Sequence, residues 1–276
     1  MVENYSCVTR VATAPDTLLE VNEGDSPTFR VSARDGTAII LDRVIAVVGC
    51  DGAGKSTLTA DLYAGLQGEG RTEFLYLGQD SGNILRRILG LPLIGPAIGR
   101  YLVRRSRRAH GDGDKSAAPD AITALVIHLL SQWRRHKFRR MLALNRRGVV
   151  VIADRYPQAE VPGFYFDGPG LVAGHASSAF IRWLAGREQR LYADMARHAP
   201  ALLIRLNVDA ETAHARKPDH KLAMLRDKVG VIPTLRFNGA RIVDLDGQAP
   251  YAEVLRAAWA AVRGTRGPNA GSGPPG

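Results

Sequence analysis

Residues 49–57 read Gly-Cys-Asp-Gly-Ala-Gly-Lys-Ser-Thr. Gly49, Gly54, Lys55 and Ser56 fit the spacing G-x-x-x-x-G-K-[ST], a pattern whose chemistry is the cradling of phosphate. Glycines let the backbone approach an anion and turn its N–H groups inward. A helix beginning at the loop adds partial positive charge. Lys55 can reach outer phosphates, and the Ser56 hydroxyl can sit on Mg²⁺. Gly52, Ala53 and Thr57 complete the loop expected to surround a nucleotide. The flanks suit the motif. Residues 44–48 are all apolar, as in a strand buried on both faces. Leu58, Leu62 and Leu66 recur every four residues, as on one face of a helix. The competing interpretation is a glycine-rich turn that binds nothing.

Asp51 places a carboxylate among groups built to hold phosphates, and like charges a few ångströms apart repel. The residue makes sense if it points away from the nucleotide, toward a second substrate's hydroxyl or a metal-bound water. Otherwise it only fixes the loop by hydrogen bonding. A second apolar run, residues 149–153, ends in Asp154, Arg155 and Tyr156. In open α/β sheets ligands bind beyond the carboxyl ends of strands, so this group belongs beside the phosphate loop. An arginine there can grip a phosphate through two parallel N–H bonds. The alternative is an ion pair that caps the strand.

The loop G-x-D-G-x-G-K-S-T and the later Asp-Arg-Tyr resemble the thymidylate kinases, P-loop kinases of the nucleoside monophosphate kinase superfamily. The resemblance covers roughly residues 43–262, in the right order. It implies an α/β, three-layer P-loop NTPase fold, a five-stranded parallel sheet with helices on both faces. It also implies transfer of the γ-phosphoryl group of ATP, with Mg²⁺ as cofactor, to a small (deoxy)nucleotide-like acceptor. By resemblance Asp51 contacts the acceptor's hydroxyl, and Arg155, with Tyr156 beside it, holds the acceptor phosphate. Asp154 lies near the magnesium with Ser56, and Arg134 or Arg135 presents a cation to the acceptor. Arg216, Lys217 or Lys221 closes over the phosphates from a mobile lid. The family also implies a homodimer. A kinase of a sugar, nucleoside or other small metabolite could use the same core. A non-catalytic ATP-binding protein docking on a polyanion or membrane is the alternative of a different class.

The sequence departs from the family where the base and sugar are read. Residues 78–82 are Gly-Gln-Asp-Ser-Gly where the thymidylate enzymes carry Arg-Glu-Pro-Gly-Gly, and residues 157–169 replace their Ser and Ala-Tyr-Gln positions. Thymidylate is therefore not the expected best acceptor, while phosphoryl transfer remains expected. Tyr165, Phe166 and Trp133 could stack on a base or serve as packing.

The 276 residues, 45% of them hydrophobic, suit one globular domain with additions. Two cysteines, Cys7 and Cys50, exclude a disulfide framework, and Cys50 inside the phosphate loop points to a reducing, cytoplasmic setting. No signal peptide or bilayer-length apolar run is evident. The seven histidines show no metal-ligand spacing, and His214 and His220 read as surface residues. Residues 1–42 hold enough apolar positions for a strand or two and no independent core. The expected kinase domain is 43–264, with an insertion at about 81–120 and a Gly/Pro-rich disordered tail at 265–276.

The net charge of +10 is uneven. Residues 81–115 carry eight basic side chains against two acidic ones, and residues 131–153 carry seven basic and none acidic. These arginines form either a solvated face or a surface for a membrane or polyanion. No nucleic-acid module accompanies them.

Overall fold

The computed structural model describes residues 11–13, 17–19, 38–78, 119, 121–172 and 178–266. The expected basic insertion, apart from residue 119, and the tail beyond residue 266 lie outside these residues, as does most of segment 1–42. Within that segment β1 (Val11–Thr13) and β2 (Thr17–Leu19) pair antiparallel.

The central sheet contains β3 (Ile39–Gly49), β4 (Thr72–Tyr76), β5 (Val150–Asp154), β6 (His198–Asn207) and β7 (Ile242–Asp246). Its five strands are parallel, in the order β4-β5-β3-β6-β7. Among the described residues the helices are α1 (Lys55–Glu69), α2 (Ala121–Arg146), α3 (Ala179–Ala196), α4 (Ala210–Arg216), α5 (Leu222–Val231) and α6 (Tyr251–Arg266). β3 starts at Ile39, four residues before the domain boundary expected at 43. Ile39, Ile40 and Leu41 pair with His198, Ala199 and Pro200, and the register then shifts before Ile45. The exposed Asp42 and Arg43 at that irregularity hid the strand's first turn of pairing from a reading based on apolar runs.

The two-unit period of β3 divides the core. Ile45 and Val47 pack with Leu58, Leu62 and Leu66 of α1 and Val254, Ala258 and Val262 of α6. Val44, Ala46 and Val48 face the other way, toward Phe138 and Met141 of α2 and Leu191, Tyr192 and Met195 of α3. Burying both faces accounts for the nearly unbroken apolar runs of β3, β5 and β6.

α2 is 26 residues long, against five for β4 and β5. That is roughly 39 Å of helix beside roughly 17 Å of strand. α2 returns antiparallel to the strands it connects, so its N-terminal half stands beyond their carboxyl ends. α3 lies alongside it. The side chains of Ser131 and Glu188 hydrogen-bond at 2.5 Å, and Glu188 also accepts from the backbone of Leu171 at 2.7 Å.

Candidate functional site

The loop after β3 enters α1 through Gly54, whose φ of 91° is left-handed and therefore glycine-favouring. No side chain caps this helix start, so the first-turn N–H groups remain for a ligand. Gly52 also has positive φ, and a Cβ there would meet the Ala213 carbonyl oxygen at 2.6 Å. The tight fit clamps α4 against the loop. Ser56 and Thr57 are exposed at the helix start. Lys55 is buried, and its Nζ donates to the Cys50 carbonyl at 2.6 Å across the loop. Burial, and then the charge of Arg155, lower the Lys55 pKa from its ordinary value, with Asp51 and Asp154 opposing.

Asp154 ends β5 directly opposite Val47 and Tyr76. It is buried, and among the described residues its Oδ1 has no hydrogen-bond partner. Burial raises its pKa against the pull of Lys55 and Arg155. A carboxylate oxygen left open beside a phosphate loop fits a hard cation, which takes oxygen ligands.

Asp51 is held by cations from outside its own loop. Its Oδ1 accepts from Arg155 Nη2 at 2.9 Å, its Oδ2 accepts from Lys228 Nζ, and His220 Nδ1 stands 4.0 Å away. Burial alone would raise its pKa, but Lys228, Arg155 and Lys55 together hold it far below the carboxylate range. Arg155 has φ of 61°, a strained conformation for a non-glycine residue. Burial would lower its pKa, yet Asp167, Tyr76, Asp51 and Asp154 outweigh burial and raise it.

The expected loop residues, Asp51, Asp154, Arg155 and Ser56 thus converge at the carboxyl edge of the sheet. Arg216 reaches the same edge, donating to Gly52 O at 3.3 Å and Gly247 O at 2.8 Å. Lys217 and Lys221, beside it at the ends of α4 and α5, are exposed.

Two expectations are corrected. Arg134 does not present its guanidinium to an open site. It is 1% exposed and donates to Arg155 O at 2.6 Å, Asp167 Oδ1 at 3.0 Å and Tyr192 Oη at 3.5 Å. It therefore acts on the strained Arg155 backbone, while its neighbour Arg135 is half-buried. Tyr156 points into the core. It donates to His198 O at 2.9 Å and meets Phe138 edge-on, because alternation at the strand end sends it to the face opposite the site.

The unfamiliar segment after Tyr156 folds around the buried Gln158, which donates to Val161 O and Phe166 O and accepts from Val161 N. That closed loop delivers Asp167, with φ of 61°, to Arg134 and Arg155. Of the aromatic candidates, Tyr165 lies under Lys228 at 5.8 Å and Trp133 stacks on His136 at 5.3 Å.

Lys228, Asp167 and His220 were missed by sequence reasoning. Lys228 did leave a signal. Leu225, Lys228 and Ile232 follow helical spacing, and the lysine stands where the stripe calls for an apolar residue. It is buried and lines a cavity of about 360 Å³ together with Cys50, Ile232 and Asp244.

The strand order, the phosphate loop after β3 and helices on both sheet faces make this a P-loop kinase-like fold. A thymidylate kinase structure from Ehrlichia chaffeensis aligns with 80% of this chain and 98% of its own, at 14% identity and a TM-score of 0.43. No protein-family model matches the chain. The uncharacterized ATP-binding protein YghS of Escherichia coli strain K12 is 54% identical over 220 residues, which span 80% of this chain and 92% of YghS. The uncharacterized ATP-binding protein YghR of the same strain is 46% identical over 219 residues, 79% of this chain and 86% of YghR. The chain belongs to the family that contains YghS and YghR.

Proposed function

We propose that the protein is an ATP-dependent phosphotransferase that moves the γ-phosphoryl group to a small, phosphorylated acceptor of the nucleotide class. The observation that carries this reading is the Asp51–Arg155 ion pair at the rim of the phosphate loop. It provides a second set of polar groups beside the cradle, able to meet a second substrate. The names of YghS and YghR support ATP as the first ligand.

In this reading the loop N–H groups and Lys55 hold the β- and γ-phosphates and stabilise charge that develops during transfer. Mg²⁺, bound by Ser56 and Asp154, would supply further neutralisation of the phosphates. Arg155 grips the acceptor phosphate, and Asp51 receives the acceptor's hydroxyl. Arg134 and Asp167 fix the Arg155 backbone so that this grip is preorganised. Arg216 orders the outer wall of the nucleotide site, and Lys217 or Lys221 closes over it. The working compartment is the cytoplasm, where Cys50 stays reduced.

The test is a coupled ADP-release screen over nucleoside monophosphates, nucleosides and phosphorylated sugars. Acceptor-dependent ADP release is expected, with dTMP not the best acceptor. Lys55→Ala should lower turnover by on the order of 100-fold or more, about 3 kcal/mol of transition-state stabilisation. Turnover of that variant within about threefold of wild type would remove the kinase reading.

A further inference from the structure

A carboxylate in a phosphate-binding loop needs an explanation, and the tertiary contacts of Asp51 contain one. Both its oxygens are engaged, Oδ1 by Arg155 and Oδ2 by Lys228. Lys228 comes from α5, 177 positions along the chain, and is buried over the ring of Tyr165. Around the loop stand the cations Lys55, Arg155 and Lys228 and the carboxylates Asp51 and Asp154, with Arg216 on the Gly52 carbonyl and the Arg134–Asp167 pair behind Arg155. His220 is the further polar group near Asp51. Without Lys228 the site would lose one of the cations that offset Asp51, and the Asp51 Oδ2 would lose its ammonium partner and be free to swing toward bound phosphates.

We infer that Lys228 is the resident counter-ion of the acidic phosphate loop, a positioning residue that holds Asp51 against Arg155 and offsets its charge beside the nucleotide phosphates. The inference rests on the phosphotransferase reading and adds a residue to it. Lys228 acts through Asp51. Its ammonium is already in a buried ion pair and faces an aromatic ring, so it stabilises the orientation of the carboxylate instead of gripping a phosphate itself. Like charges interact strongly at these separations in a site partly shielded from water. Removal of Lys228 therefore weakens nucleotide binding only while Asp51 is present to repel the phosphates.

The experiment is equilibrium binding of ATP, without acceptor, to wild type, Lys228→Met, Lys228→Arg, Asp51→Asn and the Asp51→Asn/Lys228→Met double variant, each with a thermal melt. Lys228→Met should weaken ATP binding at least tenfold, about 1.4 kcal/mol. Lys228→Arg, which keeps the charge, should stay within threefold of wild type. In the Asp51→Asn background, Lys228→Met should change ATP affinity by less than threefold, because the charge it compensated is gone. If Lys228→Met alone does not fold, the Arg variant and the comparison within the Asp51→Asn background decide, since neither leaves an unpaired carboxylate. A loss of affinity that is equal in both backgrounds, or no loss in either, overturns the inference while leaving the phosphotransferase reading standing. Absence of ATP binding by the wild-type chain sinks that reading and this inference together.

Discussion

Two buried arginine–aspartate clusters lie on opposite sides of β3, and they differ in completeness. On the β6–β7 side, Arg205 and Asp244 face each other across the strand pair. Arg205 donates from Nε and Nη2 to the two carboxylate oxygens at 2.6 and 2.8 Å, and from Nη1 to Ile232 O at 3.2 Å and Leu235 O at 2.9 Å. Asn207 completes Asp244 at 2.7 Å. One cation meets one anion, and the backbone is regular strand. On the β5 side, Arg155 and Asp51 sit on loops. Arg155 has positive φ, cations outnumber carboxylates, and Asp154 has an oxygen with no partner among the described residues. The first cluster is a finished structural joint that ties the turn after α5 to the sheet. The second has unmet capacity and an excess of positive charge, as a site for anionic ligands and a metal requires.

The comparison can be broken most easily at the finished joint. Arg205→Met takes the charged partner from Asp244, which keeps the Asn207 amide, and the donor from two carbonyls, and removing one member of a buried pair costs about 3–5 kcal/mol. Urea unfolding should show that loss, while ATP affinity measured on the folded protein stays within threefold. A stability change below about 1 kcal/mol would mean that the joint is ornamental and that the distinction fails.

The middle effect belongs to the open cluster. Arg155→Lys keeps the charge and loses the planar fork. Acceptor KM or turnover should worsen by one to two orders of magnitude, roughly 1.4–3 kcal/mol. ATP affinity should hardly change. A parallel fall in ATP affinity, with a lower melting temperature, would move Arg155 into the structural class.

The smallest effect sharpens the role of burial. Arg140 and Glu73 form an ion pair at 3.7 Å with 60% and 45% of their side chains exposed. Arg140→Ala should change stability by no more than about 0.5 kcal/mol, since water and salt screen such pairs. A larger loss in the same unfolding assay would show that sign alone, without burial, predicts the strength of these contacts.

Several elements are legible in the sequence. β3, the loop and α1 announced themselves because apolar periodicity and the glycine–lysine spacing are local properties. β5 was found within one residue, with Asp154 and Arg155 at its end. The start of β3 was misplaced because Asp42 and Arg43 interrupt the apolar run at a register shift. Arg134 or Arg135 was expected at the acceptor by resemblance, but the guanidinium of Arg134 turns into the protein. Ile127, Ser131, Arg134, Phe138 and Met141 form the buried stripe of that helix, and the arginine belongs to it. Sequence position gives a residue's address along a helix, and packing against α3 and the Arg155 loop decides what its guanidinium meets.

The amino-acid sequence by itself determined the parallel α/β sandwich, the phosphate loop and the placing of an acidic-basic pair at the end of β5. The loop and the pair rest on spacing within a few residues, where backbone geometry leaves little choice, and the sandwich was implied by the resemblance to the thymidylate kinases. Tertiary structure alone decided which charges share a site. Asp51 and Lys228 are 177 positions apart, Asp51 and Arg155 are 104 apart, and Arg134 and Asp167 are 33 apart. Their meeting depends on how α2, α5 and the loop after β5 pack at one end of the sheet. A buried charge is tolerable only when such packing brings its partner.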